Sequence, residues 1–162
     1  GLITLAGGCD VWGGALLNLT NRVLDFTLPA GTVSRVDGEL RLASGKTLTV
    51  AGGATLSGTG TVGRVVFEAG APLARHASAG SALLSASECV IPAGAVIALS
   101  GYTESELRQG VQIVAGGTLS VAQNNSVALL LEGVPQSPAA MRVSGGTLTA
   151  CLYDPGTLIS VQ

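Results

Sequence analysis

The sequence predicts an all-β chain coiled as a parallel β-solenoid, and three observations carry that prediction. Alternating apolar and polar residues recur in short runs. One phrase built on glycine, threonine and leucine returns along the chain. The 24 glycines fall too often for long helices. In Gly38-Glu-Leu-Arg-Leu-Ala43 the two leucines share one face, and in Gly45-Lys-Thr-Leu-Thr-Val50 Leu48 and Val50 oppose two threonines, a two-residue period that marks strands. Gly52-Gly53 and Gly58-Thr-Gly60 punctuate these runs as turns.

The phrase reappears in Gly116-Gly-Thr-Leu-Ser-Val121, Gly145-Gly-Thr-Leu-Thr-Ala150 and Gly156-Thr-Leu-Ile-Ser-Val161. Looser relatives start at Gly31, Gly53 and Gly94. Repetition without a strict period suits a stacked array in which each phrase buries too little to stand alone. Leu, Val and Ile would fill a narrow interior, Thr and Ser would ladder outside, and glycines would make corners where a side chain meets the next rung. At roughly 20–25 residues per turn, the 162 residues would make about seven rungs, standing about 35 Å tall. The alternative fold is an antiparallel β-sandwich. Against it, Asp37-Gly38 is the one tight-hairpin dipeptide of the Asn-Gly or Asp-Gly type, and aromatics make up only 3% of the chain.

Other segments read differently. Thr103 followed by Glu106 forms a capping box and Gly110 suits the C′ position, so residues 103–109 are expected to be a short helix. Val127–Leu131 reads as a fully buried strand, residues 122–142 as an excursion loop, and residues 71–89 as a lateral loop or irregular rung.

Composition narrows the function classes. With 47% hydrophobic and 11% charged residues, the surface must be covered by Thr, Ser, Gly and Ala rather than by ion pairs. Net charge is −2 and no basic stripe exists, so nucleic acid and anionic membranes are poor partners. No apolar run reaches the length of a transmembrane helix. No basic leader precedes Gly1 and there is no initiator Met, which reads as a mature product or a piece of something longer. The chain reads as one domain, residues 1–162, within a longer protein.

Chemistry-bearing residues are sparse. Cys9, Cys89 and Cys151 lack CxxC spacing and read as small buried hydrophobes, with no pairing assigned. His76 is the single histidine and reads as a solvated loop residue. The ten acids include no Asp-x-Asp or Asp-Asp pair, the GGxGxD calcium repeat is absent, and the glycine-rich stretches lack the Lys-Ser/Thr of a phosphate loop. No catalytic, metal or cofactor site is therefore expected. Asn18-Leu-Thr20 and Asn124-Asn-Ser126 match the glycosylation pattern and are read as chance matches.

The residues Gly45-Lys-Thr-Leu-Thr-Val-Ala-Gly-Gly-Ala-Thr-Leu-Ser-Gly-Thr-Gly-Thr-Val62, with the echoes at 116–121 and 145–150, resemble the passenger repeats of bacterial autotransporter-type surface proteins. The chain departs from that pattern at Arg64, where a second glycine is common. The resemblance implies a right-handed β-helix, export to the bacterial surface, and roles from stalk to adhesin. It transfers no site residues.

Three functions follow as expectations. The first is a non-enzymatic stalk or adhesin segment meeting extracellular glycans or proteins. The second is a filament subunit stacking head to tail through its end strands, Leu2, Ile3 and Thr4 against Leu158, Ile159, Ser160 and Val161. The third is a polysaccharide-binding or polysaccharide-cleaving β-helix using Trp12, Tyr102 and Tyr153 as sugar platforms. For Trp12 a role capping the open end of the core is favoured.

Overall fold

The computed structural model describes residues 1–123 and 126–152. Seventeen strands form two sheets, and the chain visits three rows of strands in repeated circuits. The first row contains β1 (Leu2–Thr4), β4 (Asp25–Leu28), β7 (Thr47–Val50) and the C-terminal parts of β9 (Thr61–Phe67), β11 (Leu84–Ile91) and β13 (Val111–Val121). The second contains β2 (Asp10–Val11), β5 (Val33–Val36), β8 (Thr55–Ser57), β10 (Pro72–His76), β12 (Val96–Ser100) and β14 (Ala128–Leu131). The third contains β3 (Leu16–Leu19), β6 (Glu39–Leu42) and the N-terminal parts of β9, β11 and β13. Every pairing within these rows is parallel.

Parallel register puts like upon like. One inward column runs Ile3, Phe26, Leu48, Val65, Cys89 and Leu119. A second runs Ser34, Leu56, Leu73, Ile97 and Leu129. A third tapers through Leu17, Leu40, Val62, Ala86 and Gly116. Most of these side chains are buried and belong to one core. Cys89 occupies the place that Phe26, Leu48 and Val65 fill in neighbouring circuits, so it is there as a small hydrophobe. Outside, Thr4, Thr27 and Thr49 stack as register partners, and Arg64 bridges circuits by donating to Thr47 (2.5 Å) and Glu88 (2.8 Å).

The circuits are unequal. Register partners in the first row lie 23 residues apart from Ile3 to Phe26, 22 from Phe26 to Leu48, 17 from Leu48 to Val65, 24 from Val65 to Cys89 and 30 from Cys89 to Leu119. The short circuit arises because β9 runs from the third row into the first without the loop that residues 43–46 provide one circuit earlier. The longest carries α1 (Glu104–Gln109), whose Thr103–Glu106 capping box, Gly110 C-cap and buried Leu107 match the expected helix.

The first two parallel rows are six strands deep and the third is five, rather than about seven, and the longer rows span about 24 Å from five spacings of ~4.8 Å. The cause lies in the region read as an excursion loop. After β14 the chain turns at Glu132-Gly133, both at positive φ, into β15 (Val134–Gln136), antiparallel to β14. Then β16 (Ala139–Ser144) and β17 (Thr147–Leu152) form a second hairpin around Gly145-Gly146, and β17 lies antiparallel to β13. Positive φ at both central positions is what a two-residue hairpin turn requires. The echo at 145–150 is thus a hairpin, and antiparallel pairing, which a sandwich needs throughout, is confined to these last strands among the described residues. Two further readings change. Residues 71–89 supply β10 and part of β11 around a bulge at 77–83, so they form a regular circuit with one lateral excursion. Residues 127–131 alternate, with Val127 and Leu129 buried and Ala128 exposed, because β14 faces the core on one side only.

Two glycines are dictated by the stacking. A Cβ on Gly60 would fall on the carbonyl oxygen of Gly38, and one on Gly58 (φ +128°) on that of Val36. Gly13, by contrast, has open space around it. Gly60→Ala is therefore expected to destabilise the chain by ~2–3 kcal/mol or more through overpacking against backbone. Gly13→Ala should stay within ~0.5 kcal/mol of the parent. Urea midpoints of the two variants check this, and equal midpoints would contradict the close approach.

Candidate functional site

Along the second row every other side chain points outward, which places Arg35 of β5, Ser57 of β8, Ala74 and His76 of β10 and Ser100 of β12 on one lateral face. The excursion after β10 stands up from this face as a wall. Its first part is a 3₁₀ turn, Ala77–Ala79, capped by His76. Floor and wall enclose a cavity of about 530 Å³ bordered by Arg35, Asp37, Ser57, Thr59, His76 and Ser100. A second cavity of about 380 Å³ is bordered by Asp10, Val11, Trp12 and Gly13 and shares Arg35 and Asp37 with the first. The two make one trough crossing five circuits, from Trp12 to Ser100.

Asp10, Arg35, Asp37, Thr59 and His76 are each held by a neighbour. Arg35 Nε donates to Asp37 Oδ2 at 2.6 Å, and Asp37 Oδ1 accepts from the Thr59 backbone N–H (3.1 Å) and from Thr59 Oγ1 (3.2 Å). Asp10 Oδ1 accepts from the Arg35 backbone N–H at 3.2 Å. His76 Nδ1 accepts the Ser78 N–H at 3.0 Å and lies 2.9 Å from Ser78 Oγ, so the ring proton belongs on Nε2. Arg75 points the opposite way, into the interior, and is buried. Its two terminal nitrogens donate to the carbonyls of Gly80 and Ala82, both at 2.6 Å, and so pin the wall to the strand, while its Nε has no partner.

The His76–Ser78 pair is a turn cap, because the same Nδ1 receives the serine's own N–H. Both oxygens of Asp37 accept hydrogen bonds, one from Arg35 and the other from Thr59. Among the described residues no three His, Cys, Asp or Glu side chains cluster as metal ligands.

The residues singled out from the sequence do not come together. Trp12 is 79% exposed at the rim of the trough, so the favoured role of capping the core is overturned: nothing packs over its ring, and Val11 beside it is the residue that turns inward. Tyr102 is half-buried against the core and borders a separate cavity near α1 with Glu106, Gln109 and Thr149. Tyr153 and the strand residues Leu158, Ile159, Ser160 and Val161 lie outside the described residues. Leu2, Ile3 and Thr4 pair with β4 on one side, and their other edge has no partner among the described residues. His76 ends a strand, exposed, instead of lying free in a loop. Asp10, Arg35, Asp37 and Ser57 escaped sequence reasoning because only the register between circuits brings them together.

The three cysteines are free thiols. Cys151 donates to the Arg108 carbonyl at 3.1 Å, linking the last strand to α1. Burial, with help from the Asp10 carboxylate, pushes the Cys9 thiol up, and burial alone pushes Cys89 up to about 12. Searches of family models, curated proteins and solved structures give no match to the chain. No helix among the described residues is long and apolar enough to cross a membrane.

The Cys89 environment predicts a pH dependence. Between about pH 9 and about 12 the unfolded chain loses a thiol proton that the folded chain keeps. Stability therefore falls as pH rises through that window, by up to roughly 1.4 kcal/mol per pH unit. Urea unfolding of the parent and of Cys89→Ala across this range should show a shallower decline for the variant. Parallel declines would contradict the burial.

Proposed function

We propose that the circuits form a right-handed parallel β-solenoid and that the chain is a non-enzymatic segment of an exported bacterial surface protein, a stalk or adhesin passenger. The observation that carries the reading is uninterrupted parallel pairing through six circuits in the first two rows, with threonine and serine dressing the outside. Crossovers between parallel strands are overwhelmingly right-handed, which supports the hand. A stack of this kind joins each circuit to the next by backbone hydrogen bonds along its length, and that property suits an extracellular support. The resemblance of residues 45–62 to autotransporter passenger repeats supports the same setting.

Antibody raised against the chain should stain intact cells of the producing bacterium, and brief protease treatment of those cells should remove the signal. Staining only after lysis would overturn the surface assignment.

The filament reading has one observation in its favour. The outer edge of the first circuit is unpartnered among the described residues, and Leu2 and Leu16 there are exposed. Among the described residues the opposite end carries the antiparallel strands β15–β17 and no parallel edge like that of the first circuit. Self-association is accordingly expected to stop at a discrete species such as a dimer joined first circuit to first circuit. Sedimentation velocity over a concentration series checks this; a distribution that keeps growing with concentration would restore the filament reading.

A further inference from the structure

We propose that the trough from Trp12 to Ser100 binds a neutral oligosaccharide laid along the stack. Its length is the first argument. Trp12, Asp37, Thr59, His76 and Ser100 come from five successive circuits, so four spacings of ~4.8 Å make a channel about 19 Å long, open along its side. That shape receives an extended chain better than a compact metabolite.

The lining is the second argument. A sugar ring offers an apolar face and a rim of hydroxyls that both donate and accept. Trp12 supplies a broad exposed ring at one end, where it is free to stack. Beyond it, acceptors and donors alternate: the Asp10 and Asp37 carboxylates, the outer nitrogens of Arg35, the hydroxyls of Thr59, Ser57 and Ser100, and His76 Nε2–H. Adjacent carboxylate and guanidinium groups on one strand turn, joined to each other, match neighbouring hydroxyls on one ring.

Charge decides between neutral and acidic glycans. Arg35 is already paired with Asp37, and the guanidinium of Arg75 faces the carbonyls of Gly80 and Ala82. Arg75 also lines the first cavity without a carboxylate partner, but it is buried and both terminal nitrogens are taken by carbonyls, whereas the Asp10 carboxylate stands exposed. A carboxylated or sulfated glycan would find no accessible free cation there, among the described residues, to pair with. The trough is also preformed: Thr59 holds Asp37, Ser78 holds His76 and Arg75 holds the wall, so little ordering accompanies binding. The inference rests on the proposed solenoid only for the circuit spacing and is independent of where the protein resides.

Trp12 is the single tryptophan, so its emission reports on the trough alone. The test titrates the full chain with short oligosaccharides of β-1,4-linked glucose, β-1,4-linked N-acetylglucosamine and α-1,4-linked glucose, and with oligogalacturonate. At least one neutral oligosaccharide should shift the emission saturably, and oligogalacturonate should not. By calorimetry, Trp12→Ala and Arg35→Ala, both exposed and both with unchanged circular dichroism, should each weaken binding about tenfold or more, while Tyr102→Phe binds as the parent does. The proposal is overturned if no neutral oligosaccharide binds, if only oligogalacturonate does, or if affinity survives both substitutions. Such a failure leaves the surface assignment standing, and failed surface staining would leave measured glycan binding standing.

Discussion

Backbone hydrogen bonding between one circuit and the next is the interaction on which everything else in this molecule depends. A strand of three or four residues buries too little to be stable, and β2 contributes only two residues. Each short strand persists because its N–H and C=O groups pair with the next circuit, and inside the stack with the circuits on both sides. That register also decides which side chains share a column. Leucine then lies over leucine or its substitute, threonine lies over threonine, and glycine lies wherever the next carbonyl comes too close. The core is a consequence of alignment between circuits, not of any one strand's hydrophobicity.

Alignment explains what could be read from the sequence. The alternation at 38–43 and 45–50, the corner glycines 58 and 60 and the capping box at Thr103–Glu106 are local signals with local causes, and each has its counterpart in the structure. What could not be read depends on partners chosen across the chain. The dipeptide Gly145-Gly146 opens the same phrase as Gly116-Gly117, yet the first is a hairpin turn and the second lies inside a strand. The difference lies in pairing: β13 runs through its glycines beside β11, whereas residues 145 and 146 join β16 to β17. The alternation of β14 was likewise hidden, because Val127-Ala-Leu-Leu-Leu131 is apolar at every position.

The same limit applies to the lateral trough. Asp10, Arg35, Ser57 and His76 lie far apart in sequence and match no motif, since a trough across stacked circuits collects one or two residues from each. Trp12 was visible as an aromatic but its exposure was not, because its neighbour Val11 takes the inward position. Arg75 illustrates the reverse case. Nothing in the sequence marked it, and the structure buries it to hold the loop that walls the trough. Together these placements join scaffold and surface: the wall exists because a circuit was lengthened, and its anchor occupies an inward position of the strand beneath it.

Distances between spin labels along one column test the stacking most directly. Thr4, Thr27, Thr49, Val66, Val90 and Ser120 are successive register partners on the outer side of the first row. In a Cys9→Ser background, label pairs joining position 4 to 66, to 90 and to 120 should give separations that rise by about 5 Å per circuit, reaching an underlying backbone distance near ~24 Å for the last. Separations that do not rise in that order would contradict the parallel stack and the trough built upon it.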